Sequence, residues 1–107
     1  MTEQRKVPRL IVGNMQADVS DGIGCCSGIV HDISFTGLCL VDVTKRFGKK
    51  VDAYTVVATC DNRHFKFRVR RRWEEVRGPN KRMGVEIAEP PGPWIEYVRG
   101  LEAQLDT

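Results

Sequence analysis

The sequence predicts an all-β protein, a six-stranded antiparallel barrel closed by one C-terminal helix. Two observations carry this. Six short β-type segments are separated by turn signals at spacings of about 8–12 residues. The hydrophobic spacing then switches from alternating to helical after Glu89-Pro90-Pro91-Gly92-Pro93. Residues 1–107 make one domain: a flexible N-terminal segment 1–9, a barrel 10–89 and a helix 93–106. A chain of 107 residues has no room for a second core, and it can fold without metal or disulfide staples.

The elements follow in order. Leu10 to Val19 is rich in apolar and β-branched residues and stops at Ser20-Asp21-Gly22, a turn cluster. Cys25 to Ser34 gives the second strand and Leu38 to Val43 the third. Lys45 to Lys50 is a loop, Val51 to Cys60 the fourth strand, and Asp61-Asn62 the tight turn into the fifth. In that fifth strand Phe65, Phe67, Val69 and Trp73 share one parity, while Lys66, Arg68, Arg70 and Arg72 share the other. One face is therefore expected in the core, Trp73 included, and one in water. Arg71 falls on the apolar parity, which points to a strand end or a bulge. Gly78-Pro79-Asn80 turns the chain into a sixth strand, Met83 to Ile87. Trp94, Val98, Leu101 and Leu105 form a helical stripe with Tyr97 beside it, and the barrel offers the surface to cover it. Gly100 suggests a close approach of backbones.

Composition narrows the function. With 41% hydrophobic and 29% charged residues the chain is globular rather than disordered. Its longest apolar run is the four residues Leu38 to Val41, far below the roughly 20 of a membrane span. The polar start Met1 to Lys6 has no apolar segment of signal-peptide length behind it, so the cytoplasm is the expected location, with no membrane partner. Cys25, Cys26, Cys39 and Cys60 lack metal-ligand spacing and read as reduced thiols; no metal or cofactor is expected. A net charge of +3 is too small to imply general polyanion binding.

Two constellations remain. Arg5-Lys6-Val7-Pro8-Arg9 is an R-x-x-x-R at the lead-in to the first strand. Pro8 biases Val7 to an extended conformation, so the two arginines lie about 13 Å apart along the chain. Guanidinium forks suit phosphate or the O6/N7 edge of guanine. The second is Asp32-Ile33-Ser34-Phe35-Thr36-Gly37. On an extended chain Asp32 and Ser34 share a face, a carboxylate beside a hydroxyl, able to meet the N–H groups of guanine. Gly37 supplies a positive φ or room for close backbone approach. Each half has a plain alternative: a solvated basic tail, and a turn in which Asp32 and Ser34 cap backbone amides.

Together, R-x-x-x-R and D-x-S-x-x-G closely resemble the bipartite signature of PilZ domains. Gly37-Leu38-Cys39-Leu40 and Met83-Gly84-Val85-Glu86-Ile87 are similar to later strands of that family, so the resemblance spans about Gln4 to Leu101. It implies a PilZ-type barrel that binds the bacterial second messenger cyclic di-GMP through Arg5, Arg9, Asp32, Ser34 and Gly37. It also implies a signalling effector: an N-terminal arginine segment that orders on binding and alters the surface shown to a downstream protein, with motility or biofilm control as the family-level role. Gln4 stands where many members have a further arginine, which points to one ligand per domain.

Three other readings of the same residues stand beside this one. Catalysis is not expected: His31 should point away from the face of Asp32 and Ser34, so no triad forms. A PilZ-fold interaction module without nucleotide is the main alternative. A nucleic-acid-binding barrel using Lys66, Arg68, Arg70 and Arg72 is a weaker one, because stacking needs exposed aromatics and these are assigned to the core.

Overall fold

The computed structural model describes residues 9–105. It contains seven strands, β1 (Leu10–Ile11), β2 (Gln16–Ser20), β3 (Cys25–Ser34), β4 (Gly37–Thr44), β5 (Ala53–Cys60), β6 (Arg63–Arg77) and β7 (Asn80–Ile87), and one helix, α1 (Gly92–Leu105). All pairings are antiparallel, in the order β1-β3-β2-β5-β6-β7-β4, and an added β3–β4 pairing closes a six-stranded barrel with β1 outside the ring.

The segment Leu10 to Val19 is two strands rather than one. It breaks at Gly13-Asn14, and both halves lie antiparallel to β3, β1 opposite Asp32–Ile33 and β2 opposite Cys25–Ile29. Strand β3 is therefore the long spine of the barrel, serving β2 at one end and β1 and β4 at the other. Asp61 and Asn62 both take positive φ, 50° and 67°, as a two-residue hairpin turn between right-twisted strands requires.

Inward side chains of all seven strands and the helix make one core, including Val19, Val30, Ile33, Leu40, Val56 and Met83, all essentially sealed from water. The helix begins just after Pro90-Pro91, and Pro93 sits in its first turn, where a missing N–H costs nothing. Trp94 then plugs the barrel end. Its ring lies edge-on to Phe65 and Phe67 at 5.3 and 5.1 Å, and its indole N–H donates to the Ser34 carbonyl at 3.2 Å. Burying such a ring stabilises by about 1.5–3 kcal/mol, and each edge contact adds roughly 0.5–1.5. The helical stripe is covered only in part: Trp94 and Val98 are buried, whereas Leu105 is exposed. Nor is Gly100 a close approach, since a Cβ there would meet nothing within 4 Å.

Register shifts occur on β3, on β4 between Leu40 and Val43, and on β6, and the first and last of these are bulges that redirect side chains at the site. One falls between Val30 and Asp32 on β3, the other between Arg71 and Trp73 on β6. The second confirms the irregularity expected at Arg71, whose guanidinium turns inward to the Gly48 carbonyl and the Tyr54 hydroxyl, at 3.2 and 3.3 Å. It also removes Trp73 from the core. Trp73 is 47% exposed, because the extra residue, Arg72, reverses the parity that would have carried its ring inward.

Candidate functional site

Cross-strand register assembles the site. Trp73 on β6 lies opposite Gly84 on β7, Gly84 opposite Cys39 on β4, Cys39 opposite Asp32 on β3, and Asp32 opposite Ile11 on β1. These positions form one lateral row on the outside of the barrel. Its middle is a glycine and a cysteine, so the row is a trough with an indole at one end and a carboxylate at the other. The resulting pocket of about 280 Å³ is lined by Arg9, Asp32, Leu38, Cys39, Arg72, Trp73, Arg82, Gly84 and Val85.

Gly84 is what lets the indole lie down. A Cβ at this position would come within 2.2 Å of Trp73 Nε1, so any larger residue must displace the ring. The ring thereby rests against Gly84 on the trough floor, with about half of its surface left exposed.

At the opposite end, the Arg9 guanidinium donates to Asp32 Oδ1 through Nε at 2.9 Å and through a terminal nitrogen at 2.5 Å. His31 Nδ1 lies 2.8 Å from Oδ2 of the same carboxylate. His31 was expected to point away from Asp32; the β3 bulge brings the two together instead. Burial pushes the Asp32 carboxyl pKa up, but the hydrogen bonds from His31 and Arg9 outweigh it and hold the value below the ordinary carboxylate range. Asp32 is thus a fixed anion at neutral pH, with both oxygens engaged.

The other predicted residues behave differently. Ser34 is buried, and its hydroxyl reaches back to the Gly37 carbonyl at 3.5 Å, closing the β3–β4 turn. It does not line the pocket, so the open carboxylate–hydroxyl notch expected from alternation is replaced by a carboxylate alone. Gly37 serves close approach, and the backbone it admits is its own fold: a Cβ would meet the Val85 carbonyl at 2.8 Å. The same position lies 3.8 Å from both Arg9 and Ser34, so the two halves of the signature converge. Arg5 lies outside the described residues. Trp73, Gly84 and Arg82 were missed by sequence reasoning. The parity slip at Arg71 was the one available signal for the first of them.

No helix among the described residues is long and apolar enough to cross a membrane. No family model matches the sequence, and no curated protein matches it. Solved structures do. The Bacillus subtilis inhibitor of motility MotI/DgrA superposes with a TM-score of 0.75 at 12% identity, over 99% of this chain and 54% of that one. Borreliella burgdorferi PlzA, in a crystal structure with c-di-GMP, superposes with a TM-score of 0.65 at 13% identity, over 92% of this chain and 51% of that one. This chain spans about half the length of either protein. Both are PilZ-domain proteins, and the chain has a PilZ-like fold.

Proposed function

We propose that this barrel is a receptor for cyclic di-GMP, a non-enzymatic cytoplasmic effector that holds the nucleotide in the trough between Trp73 and the Arg9–Asp32 pair. The observation that carries the reading is the convergence itself. Arg9 and Asp32, 23 residues apart, meet in a pocket whose far end is a half-exposed indole. A ligand with two phosphates and two guanines can use every part of it: guanidinium forks for phosphate, the carboxylate for guanine N–H groups, the indole for stacking. The c-di-GMP complex of PlzA, a protein of the same fold, supports it further.

The pairing in the free protein does not stand in the way. The Arg9 side chain is 44% exposed, so its bond to Asp32 is worth about 1 kcal/mol or less. Charge-assisted hydrogen bonds to phosphate contribute roughly 1.5–3 kcal/mol each. Arg9 can therefore exchange the carboxylate for the ligand at a net gain. On the sequence spacing Arg5 would add a second fork, and Ser34 and Gly37 would act by shaping the turn beneath. The output would be a changed surface for a downstream protein as the arginine segment takes hold.

One observation favours a second reading, a PilZ-like interaction module without nucleotide: Asp32 has both oxygens satisfied and the Ser34 hydroxyl is turned inward. Isothermal titration separates the two. Micromolar or tighter binding of cyclic di-GMP, with none of GTP or single-stranded DNA, supports the receptor. Absence of heat with cyclic di-GMP removes it.

A further inference from the structure

Three arginines line the trough, and their states differ. Arg9 is bonded to Asp32, and Arg72 donates to Glu86 at 3.0 Å. Arg82 has no carboxylate partner among the described residues. Its Nε is buried and meets no acceptor, and its one hydrogen bond among the described residues runs from a terminal nitrogen to the Cys39 sulfur at 4.0 Å. The cross-strand neighbour that could have neutralised it, Glu75, turns to Arg77 instead, at 3.2 Å. A guanidinium held with a buried, unmatched N–H is a state that folded proteins seldom retain without a use for it.

We infer that Arg82 is the anion anchor of the trough, a phosphate-binding residue that receives the ligand while Arg9 is still bonded to Asp32. Its place fits the task. The Glu75–Arg82 pair lies two residues along from the Trp73–Gly84 pair on the same outer face, about 7 Å away along the strands. A base stacked on Trp73 would put a phosphate of the same nucleotide within reach of the Arg82 fork. The two terminal nitrogens of the guanidinium form a planar fork that matches two oxygens of a tetrahedral phosphate, which a lysine ammonium cannot do. Arg82 has no ion pair to break, so it engages first, and Arg9 follows by leaving Asp32. The assignment to a nucleotide phosphate rests on the receptor reading above; the anion site itself does not.

Arg82→Met tests it, with Arg82→Gln as the polar counterpart. A residue kept for ligand rather than for the fold should leave the melting temperature unchanged or higher when replaced, because the buried unmatched N–H goes with it. Cyclic di-GMP affinity by calorimetry should fall at least tenfold in both variants. Affinity within twofold of the parent overturns the inference. So does a melting temperature lowered by several degrees in both variants, since that marks a structural role. Should the parent protein ignore cyclic di-GMP, the receptor reading fails and inorganic pyrophosphate decides about Arg82. A pyrophosphate-induced rise in melting temperature that Arg82→Met abolishes sustains the anchor; no rise in the parent protein ends it.

Discussion

Replacing Trp73 by leucine separates ligand stacking from packing. Trp73 is half exposed, and the half that is covered lies on Gly84. Leucine keeps an apolar cap over that glycine and loses roughly 50 Å² of buried apolar area. At 25 cal/mol/Å² this is about 1 kcal/mol, an upper value because the unfolded chain also hides some surface. For a domain of this size the melting temperature would fall by about 4–8 °C or less. The exposed half of the indole, by contrast, would contribute about 1–3 kcal/mol of stacking per base. Cyclic di-GMP affinity should therefore drop about 5- to 150-fold in Trp73→Leu, with a smaller loss in Trp73→Phe, which keeps a π face. Calorimetry gives the affinities and thermal denaturation the stability. Fluorescence adds an internal control, because the chain has two tryptophans and the other, Trp94, is sealed in the core. A ligand-induced emission change should vanish in Trp73→Leu. Affinity retained within twofold, in a variant that melts as expected, would refute the stacking role.

Four further outcomes are expected. Arg9→Ala should cost about 2–5 kcal/mol of cyclic di-GMP binding by calorimetry, yet only about 1 kcal/mol or less of stability in urea, because the Arg9 side chain is 44% exposed and His31 still engages Asp32. The Asp32 pKa is depressed in the folded state, so its contribution to stability is present above the ordinary carboxylate value of 3.8 and is lost as pH falls through the folded value. Melting curves taken from pH 6 down to pH 2.5 should accordingly fall less steeply below about pH 4 for Asp32→Asn than for the parent. Lys81 is fully buried, with its ammonium donating to Glu74 at 2.8 Å and to the Phe47 carbonyl at 2.6 Å. Glu74→Gln should destabilise by about 1–3 kcal/mol in denaturant titration, the solvent access of Glu74 holding it below a fully buried pair. Gly100 sits mid-helix with open space around it, so Gly100→Ala should stabilise by up to about 1 kcal/mol, read as a higher melting temperature.

Most of the barrel was legible because alternation is a strong signal wherever one face is buried and the other wet. Strand β3 was read from Cys25 to Ser34 as the structure has it, and Phe65, Phe67 and Val69 were rightly placed in the core. Errors fall where the period of two breaks. The expected first strand carries no strong turn residue pair between its halves, only Gly13-Asn14, and a break there is weaker in sequence than Ser20-Asp21-Gly22. The exposure of Leu105 reflects the reach of the barrel end, a tertiary quantity that the helical stripe does not contain.

The same breaks built the site. Had β3 stayed regular, the parity of Val30 would have put His31 and Asp32 on opposite faces, with the Asp32 carboxylate turned inward, away from both Arg9 and His31. Had β6 stayed regular, the parity of Phe65 would have buried Trp73 and left the trough without an aromatic wall. Each bulge inserts one residue, His31 in one strand and Arg72 in the other, and each turns a side chain of the following segment outward. Between them run β4 and β7, unbroken at Cys39 and Gly84, whose small side chains keep the floor low. Sequence motifs locate Arg9 and Asp32 because their types and spacing are specific. The stacking surface is instead the product of a register slip and a glycine on a neighbouring strand, and neither alone has a signature. A barrel with both arginines, the aspartate and the serine, but with Ala in place of Gly84, would keep the motif while its indole was pushed off the floor. Gly84→Ala is therefore the substitution at which motif and geometry part company, and intact signature residues should there coexist with weakened nucleotide binding.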